Sequence, residues 1–278
     1  MAITSRDKLI EALATNSSRF ILDKASISSQ TAGTFVSLWR ATGQPGQGAI
    51  PAAADICTNV LTGAMGFTQQ TLPATSYGGY GYVSTSNSAM SVEIHDRLMH
   101  MGGLNGTLTT AQSPNLDLHA NIASNNLTAR IGDANYSDVQ WWLEWYTATG
   151  STAVTATVTC VYNDATTATL NASLAATRPA GFMLPLNGLV PAAQSGKYIR
   201  AIPTVQLSAT TGTAGSFGIT VTRPRFTMPS ALANFQTVYN WADLGLPEIY
   251  NESCLFPVVL TSTTSSGTVR GGGKICHG

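Results

Sequence analysis

The sequence predicts a mainly β protein: an antiparallel β-sandwich or jelly roll with short N-terminal helices and extended terminal arms. Two observations support this fold class. Many short segments alternate apolar and polar residues with a period of two, which is the repeat of a strand whose side chains point to opposite faces. About eight such segments follow one another at spacings near ten residues, with few helices between them. Parallel α/β folds are therefore disfavoured.

The same patterns divide the chain into three consecutive ranges. Residues 1–30 are predicted to form an N-terminal helix or arm, residues 31–226 a jelly-roll-like β-sandwich domain, and residues 227–278 a C-terminal arm with a Gly/Ser/Thr-rich tail. Sandwiches and barrels often reach about 200–250 residues as one domain. A tail of this composition is ordered only where something holds it.

Residues 4–14 read as a short amphipathic helix. Thr4 is the expected cap and Asp7 stands three residues later, in the capping-box position. A helix of this length is marginal alone and needs a surface on which to dock. Because its own β domain or a neighbouring subunit could supply that surface, the apolar stripe is a candidate interface, made of Leu9, Ile10 and Leu13.

Residues 42–48 form a loop by composition, and Pro51 is placed to begin a second short helix over residues 52–61. The run Tyr77-Gly-Gly-Tyr-Gly-Tyr82 contains aromatic rings that could stack on single-stranded nucleic acid or on sugars. No basic residue lies near it, so a strand edge or a loop is the favoured interpretation.

The strongest β signal lies in residues 139–176. In the first run, two tryptophans share one face of the predicted strand, and Trp142 and Tyr146 share the other. A second alternating run, residues 154–162, follows a turn-rich stretch, which predicts a hairpin. One face should fill the sandwich core. The other, with Trp142 and Tyr146, is a candidate for burial under an arm, a second layer or a partner subunit.

Two later segments carry specific expectations. Residues 197–207 alternate as a strand, and Pro203 predicts an edge or a bulge there because proline cannot donate to the ladder. Residues 235–241 are interpreted as a helical turn or an extended arm.

No constellation of residues predicts chemistry. The pair Asp117 and His119 is the best acid/base or metal candidate, but a plain polar surface pair is favoured over it. The four widely spaced cysteines predict buried free thiols, of which Cys276 should be the most exposed. We therefore expect no catalytic, cofactor-binding or metal-binding residues, and no enzymatic activity.

Composition limits the partners. Charged residues make up 10% of the chain and the formal net charge is zero, whereas a nucleic-acid-binding domain commonly has a basic patch or a pI above ~9. Direct nucleic-acid binding is therefore not expected. Low net charge also removes the repulsion that keeps copies apart, which favours assembly. No signal peptide or apolar span long enough for a bilayer is present, so we expect no membrane association and synthesis in the host cytoplasm.

Five segments together resemble a family of structural proteins of tailed bacteriophages. The most distinctive contains Trp-Trp-Leu-Glu-Trp-Tyr, and the resemblance spans roughly residues 31 to 223, leaving both ends outside it. The segments are SLWRATGQPGQGAIPAA (37–53), HDRLMHMGGLNGTLTTAQ (95–112), QWWLEWYTATGSTAVTATV (140–158), SLAATRPAG (173–181) and QLSATTGTAGSFGITVTR (206–223).

The resemblance implies a particle component similar to capsid cement or decoration proteins, with no catalytic residues to carry over. The expected partners are the major capsid protein and further copies of the chain, in a homo-oligomer that for such proteins is often a trimer. The expected location is the capsid surface of the virion. The alternative is a tail, collar or fibre-base component, or a particle-borne module that binds host glycans.

Overall fold

A computed structural model describes residues 3–87 and 89–278, and most of its regular structure is strand. The helices are α1 (Arg6–Thr15) and α2 (Leu127–Arg130), with short 3-10 turns at Asn187–Leu189 and Ala192–Gln194. The strands, in chain order, are β1 (Ser17–Lys24), β2 (Phe35–Ser37), β3 (Gly43–Gln44), β4 (Asp55–Ile56), β5 (Ser76–Thr85), β6 (Met90–Leu104), β7 (Leu116–Asp117), β8 (Gln140–Thr147), β9 (Val154–Tyr162), β10 (Thr167–Leu174), β11 (Phe182–Pro185), β12 (Ile199–Leu207), β13 (Ser216–Ser230), β14 (Thr237–Asn240), β15 (Glu248–Ile249), β16 (Leu255–Leu260) and β17 (Val269–His277).

The chain divides into two compact units that do not follow the three predicted ranges. The terminal unit combines Met1–Gly48, Thr58–Asp96 and Pro224–Gly278, and the central unit combines Ala49–Cys57 and Arg97–Arg223. The long strands β6 and β13 contribute residues to both units. Each unit has its own core.

The central unit contains two sets of paired strands. One sheet has the order β10-β9-β12-β7. In the other set, the strands pair in the order β11-β8-β13-β6, and β4 pairs with β6 as well. Apolar residues of both sets share one core. Gly218 of β13 has no room for a side chain, because a Cβ there would lie 1.7 Å from the carbonyl oxygen of Met101.

The tryptophan-rich strand β8 is buried on both faces. Trp141, Leu143 and Trp145 belong to the shared core. The Trp145 ring stacks on Phe217 at 5.6 Å between centroids and meets Phe182 edge-on at 5.4 Å. Aromatic pairs in these arrangements add to the stabilisation from buried area.

The predicted hairpin between β8 and β9 is wrong. β8 pairs with β11 and β13, whereas β9 pairs with β10 and β12 in the other sheet. The connecting residues bind other loops: the Thr149 N–H donates to the carbonyl oxygen of Arg178, and the Thr152 N–H to that of Thr211. The chain therefore crosses from one sheet to the other here.

The terminal unit is built on a sheet of order β14-β5-β17-β1-β3, with β15 also paired to β5. In the same unit β16 pairs with β2 and with residues 91–96 of β6. Its core is apolar and draws on most of these strands, including Phe20, Leu22, Val83 and Ile275.

The expectation of terminal arms is corrected by the pairing of β1 with β17, which runs from Ser17 opposite Cys276 to Lys24 opposite Val269. The glycine-rich tail is ordered because its glycines admit neighbouring backbone: a Cβ on Gly273 would lie 2.2 Å from the Tyr80 carbonyl oxygen. Cys276 is fully buried, contrary to the expected exposure, and the other three free cysteines are buried as predicted.

Smaller expectations had mixed outcomes. Helix α1 is present, but its cap is Ser5 rather than Thr4, and Ser5 accepts from the Lys8 N–H. The helix predicted over residues 52–61 is absent, since that stretch forms turns and the short strand β4. The bulge at Pro203 is confirmed by a register shift between Ala201 and Thr204. Within the described residues, no helix has the length and apolar character needed to cross a membrane.

Candidate functional site: buried polar groups and an exposed apolar strand

The predicted interface residues of β8 are covered within one copy of the chain. Trp142 is 1% exposed and Tyr146 is 2% exposed, and the Trp142 indole N–H donates to Thr222 Oγ1 at 2.9 Å. With so little side-chain surface left, neither residue can supply much area to a partner subunit. The structure places both in the interior.

The three residues of the apolar stripe on α1 differ in their exposure to solvent. Leu9 is buried in a small apolar cluster with Ala12 and Cys276, and Leu13 is partly buried against that cluster. The terminal unit itself therefore supplies the surface that the helix needs. Ile10 lies on the other side of the helix and is 54% exposed, so of the three residues it alone presents much apolar surface to solvent.

A closed cluster of polar groups lies in the central unit. The Arg97 guanidinium donates from Nη2 to Glu144 Oε2 at 2.6 Å and from Nη1 to Oε1 at 3.3 Å. Nη2 also reaches the Tyr146 hydroxyl at 2.7 Å and Thr220 Oγ1 at 3.1 Å, and Nε donates to His100 Nδ1 at 2.9 Å. Thr220 Oγ1 donates in turn to Glu144 Oε2.

The members of this cluster are paired with one another and buried. Burial acts to lower the pKa of Arg97, but Glu144, Tyr146 and Cys57 together outweigh burial and raise that pKa above its ordinary value. Burial raises the pKa of Tyr146, so the phenol stays protonated at neutral pH. The five side chains are at most 5% exposed, and a substrate has no route to them. Charges so deeply buried are tolerated only when paired.

The sequence-predicted chemical pair does not form. Asp117 ends β7, and its Oδ1 accepts from the Ala120 N–H at 3.0 Å. His119 lies in the following turn, where its Nδ1 is 2.9 Å from the Tyr136 hydroxyl. The two side chains therefore serve different local contacts. Among the described residues, no group of three or more His, Cys, Asp or Glu side chains could hold a metal ion.

A second buried histidine joins three strands of the terminal unit. His277 Nε2 accepts from the Ser18 N–H at 3.2 Å and lies 2.7 Å from Ser18 Oγ, while Nδ1 is 2.8 Å from Ser76 Oγ. Burial lowers the pKa of His277. A hydroxyl beside an imidazole resembles a serine nucleophile. However, Ser18 Oγ also accepts from the Thr68 N–H, and the imidazole is 2% exposed, so the contacts fasten β17 to β1 and β5.

Lys24 is a fully buried cation of the terminal unit. Its Nζ donates to the carbonyl oxygens of Pro45 at 2.6 Å, Ala41 at 3.0 Å and Gly46 at 3.3 Å. These hydrogen bonds satisfy three backbone carbonyl groups that would otherwise be buried without a donor. Burial lowers the pKa of Lys24 to about 8.

The lowered pKa predicts a specific dependence of stability on pH. The unfolded lysine has a pKa near ~10.4, so between pH 8 and pH 10.4 the unfolded chain binds more protons than the folded one. The contribution of Lys24 to the free energy of unfolding should therefore increase with pH in that window. We expect the unfolding free energy of the wild type to increase relative to Lys24→Met between pH 7.5 and 9.5, measured by denaturant titration.

Lys8→Met is the matched control, because Lys8 lies on the surface of α1 in an exposed ion pair with Glu11. Its difference from the wild type should stay constant over the same pH range. A constant difference for Lys24→Met as well would show that the buried amine keeps its ordinary pKa.

Several exposed apolar side chains of the terminal unit lie close together in the sequence around β14. We call residues 231–243 the edge segment. Every residue in it except Thr237 and Tyr239 is exposed, and its large apolar side chains are Leu232 at 60%, Phe235 at 59%, Val238 at 51% and Trp241 at 36%. Several exposed apolar side chains within one short stretch are a candidate interaction surface.

Within its sheet, β14 is a terminal strand. It pairs with β5, from Thr237 opposite Val83 to Asn240 opposite Tyr80, and it ends the order of described strands on that side. The expected helical turn or arm at residues 235–241 is thus a short strand with its flanking turns. Tyr77, Tyr80 and Tyr82 of β5 are half-buried in the same sheet. The sequence favours a strand edge or a loop for this run; it is a strand, but β5 pairs with β17 on one side and with β14 and β15 on the other, so it is not an edge.

Sequence reasoning missed the buried ions and the edge strand. A signal for Glu144 was available, because a lone carboxylate inside an apolar strand buried on both faces must find a partner. Nothing in the sequence identified that partner as Arg97, which is 47 positions away. For the edge segment the signal was its near absence of charge, since Asp243 is the one charged residue in it.

Comparisons with known proteins provide little guidance. No protein-family model matches the chain, and no curated protein matches it. Solved structures include T=1 particles formed by D431N mutant VP2 of infectious bursal disease virus, at 10% identity over 97% of this chain and 82% of that chain, with a TM-score of 0.16. A 2.6 Å structure of T=1 particles derived from infectious bursal virus has the same identity and coverage with a TM-score of 0.18. Scores this low carry no argument about fold or role.

Proposed function

We propose that this chain is a structural component of a tailed-phage virion, a capsid cement or decoration protein that binds the major capsid protein and stabilises the head. It acts without catalysis, by contact with the capsid surface and with further copies of itself. The observation that carries the proposal is the strand order of the central unit, taken together with the sequence segments that resemble phage structural proteins.

The strand order of the central unit supports the jelly-roll interpretation. Lettered B to I in chain order, the strands β6 to β13 give one sheet of order B-I-D-G and a second of order C-H-E-F. Eight-stranded jelly rolls built in this way are common in viral capsid and lectin domains. A fold supports a function only by analogy, so the surface must supply the rest of the argument.

The surface supports contact rather than chemistry. The buried ionisable clusters described above are closed to substrate, whereas apolar side chains project from several strands and loops, including Ile21 at 61% and Val60 at 81%. A neutral chain with few charges can also approach a second protein surface with little repulsion to overcome.

A cement protein stabilises by adding buried area across joints between capsid subunits. Binding to the assembled shell and not to its separated subunits shifts the equilibrium towards the shell by mass action. Each copy needs only an interface of ordinary size with the shell, because many copies act together on one particle.

The test compares particles with and without the chain. Particles that lack it should release DNA at a lower temperature, followed by the fluorescence of a DNA-binding dye during heating. Adding back the purified wild-type chain should restore the release temperature. Equal heat resistance of the two particles would reject the cement role.

A further inference from the structure

We propose that the edge segment is a self-association surface, in which β14 of one copy pairs antiparallel with β14 of a second copy about a two-fold axis at Val238. This inference deepens the proposed function by naming one surface through which copies of the chain meet. The inference depends on the proposed function in one respect: the partner is taken to be a second copy of the chain and not a host molecule.

Backbone geometry decides which groups of β14 face outward. The Asn240 N–H binds Asp243 Oδ2 at 2.9 Å, and the Asn240 carbonyl oxygen accepts from the Leu244 N–H at 3.1 Å. Both groups of Asn240 therefore point away from β5. Since alternate residues of a strand turn their backbone groups to opposite edges, those of Val238 face outward too, while those of Thr237 and Tyr239 face β5.

An outward-facing Val238 sets the register of a self-pair. Two antiparallel strands centred on this residue exchange two hydrogen bonds between its N–H and carbonyl groups. Phe235 and Trp241 flank β14, and both carry exposed apolar surface that a second copy could cover. The contact is isologous, so it closes at two copies.

Charge and area favour a second copy as the occupant. The edge segment carries one charge, at Asp243, so a strongly charged partner would gain nothing from it, and two copies repel little. Natural edge strands usually block such pairing with lysine or proline, and neither occurs in residues 231–243.

The area of the contact predicts its strength. A standard interface buries about 800 Å² per partner from roughly 20–30 residues, so this segment supplies on the order of half of that area. A weak, concentration-dependent dimer is expected.

Cross-linking tests the register directly. Val238→Cys places a thiol on the proposed axis, and the native cysteines are all buried. A short bis-maleimide linker should therefore give a covalent dimer of Val238→Cys at micromolar protein. Val60→Cys is the matched control, because Val60 is 81% exposed and lies outside the edge segment, and it should remain monomeric. Equal cross-linking of both variants, or of neither, would overturn the proposal.

Sedimentation equilibrium of the full chain provides a second measurement. Val238→Lys brings two like charges together at the axis and should weaken dimerisation at least tenfold, whereas Val60→Lys should leave it unchanged. A wild type that stays monomeric at high concentration, or a dimer indifferent to Val238→Lys, rejects the surface. Circular dichroism confirms that each variant is folded.

These outcomes are separable from those of the proposed function. Dimerisation is measured on the purified chain, and the release temperature of DNA is measured on particles. A chain that dimerises through β14 without protecting particles would retain this inference and lose the cement role. A chain that protects particles as a monomer would do the reverse.

Discussion

Arg97→Met should destabilise the protein by about 3–5 kcal/mol, because it leaves the Glu144 carboxylate buried without its cation. Glu144 is 1% exposed and receives two hydrogen bonds from the guanidinium. Methionine fills much of the space but donates nothing, and the Tyr146 hydroxyl and His100 Nδ1 lose their donor as well. The measurement is the midpoint of urea unfolding, followed by tryptophan fluorescence.

Two comparisons isolate the cause. Arg270→Met removes an exposed arginine whose ion pair with Asp23 has side chains 75% and 59% exposed, and it should change stability by less than about 1 kcal/mol. The double variant Arg97→Met with Glu144→Leu removes both charges and should recover much of the loss. If Arg97→Met were as mild as Arg270→Met, the carboxylate would have to reach water or a different partner.

The strands themselves could be predicted from sequence because their signal is local. Alternation over residues 139–146 and 154–162 corresponds closely to β8 and β9, and the proline in β12 indicated its bulge. Each of these features depends on residues within a few positions of one another. A strand keeps its two-residue alternation whichever sheet it joins, so the pattern identifies the strand but not its partners.

The partners of the strands could not be predicted in the same way. β8 and β9 are neighbours in the sequence, yet each pairs with strands further along the chain. The connecting residues are held by Arg178 and Thr211, contacts that no local pattern encodes. The ends were misjudged for a related reason: the glycines of β17 resemble a flexible tail until β1 and β5 lie on either side of them.

The candidate surface shows the same limit. Aromatic residues predicted Trp142 as a contact, but whether an apolar face meets a core or a partner depends on what the rest of the chain places over it. Conversely, the edge segment has too few residues in its strand for alternation to be visible. Its exposure is a property of the folded sheet, in which β14 is the last strand beside β5.

Trp142→Ala should therefore reduce the stability of the single chain rather than its assembly. A buried tryptophan replaced by alanine costs about 3–5 kcal/mol through lost transfer energy and the cavity that remains. Loss of the indole also removes the donor to Thr222 Oγ1. We expect a lower urea midpoint at protein concentrations where the wild type is monomeric, so that no dimer contributes to the difference.

Trp241→Ala is the matched substitution on the surface. Trp241 follows the last residue of β14 and is 36% exposed. Its loss should lower the monomer's urea midpoint by less than Trp142→Ala does, and it should also weaken the dimer. The two variants should therefore differ in their dependence on protein concentration: Trp142→Ala should affect folding alone, whereas Trp241→Ala should affect association as well. A Trp142→Ala chain that unfolds at the wild-type midpoint but no longer assembles would return Trp142 to an interface between copies.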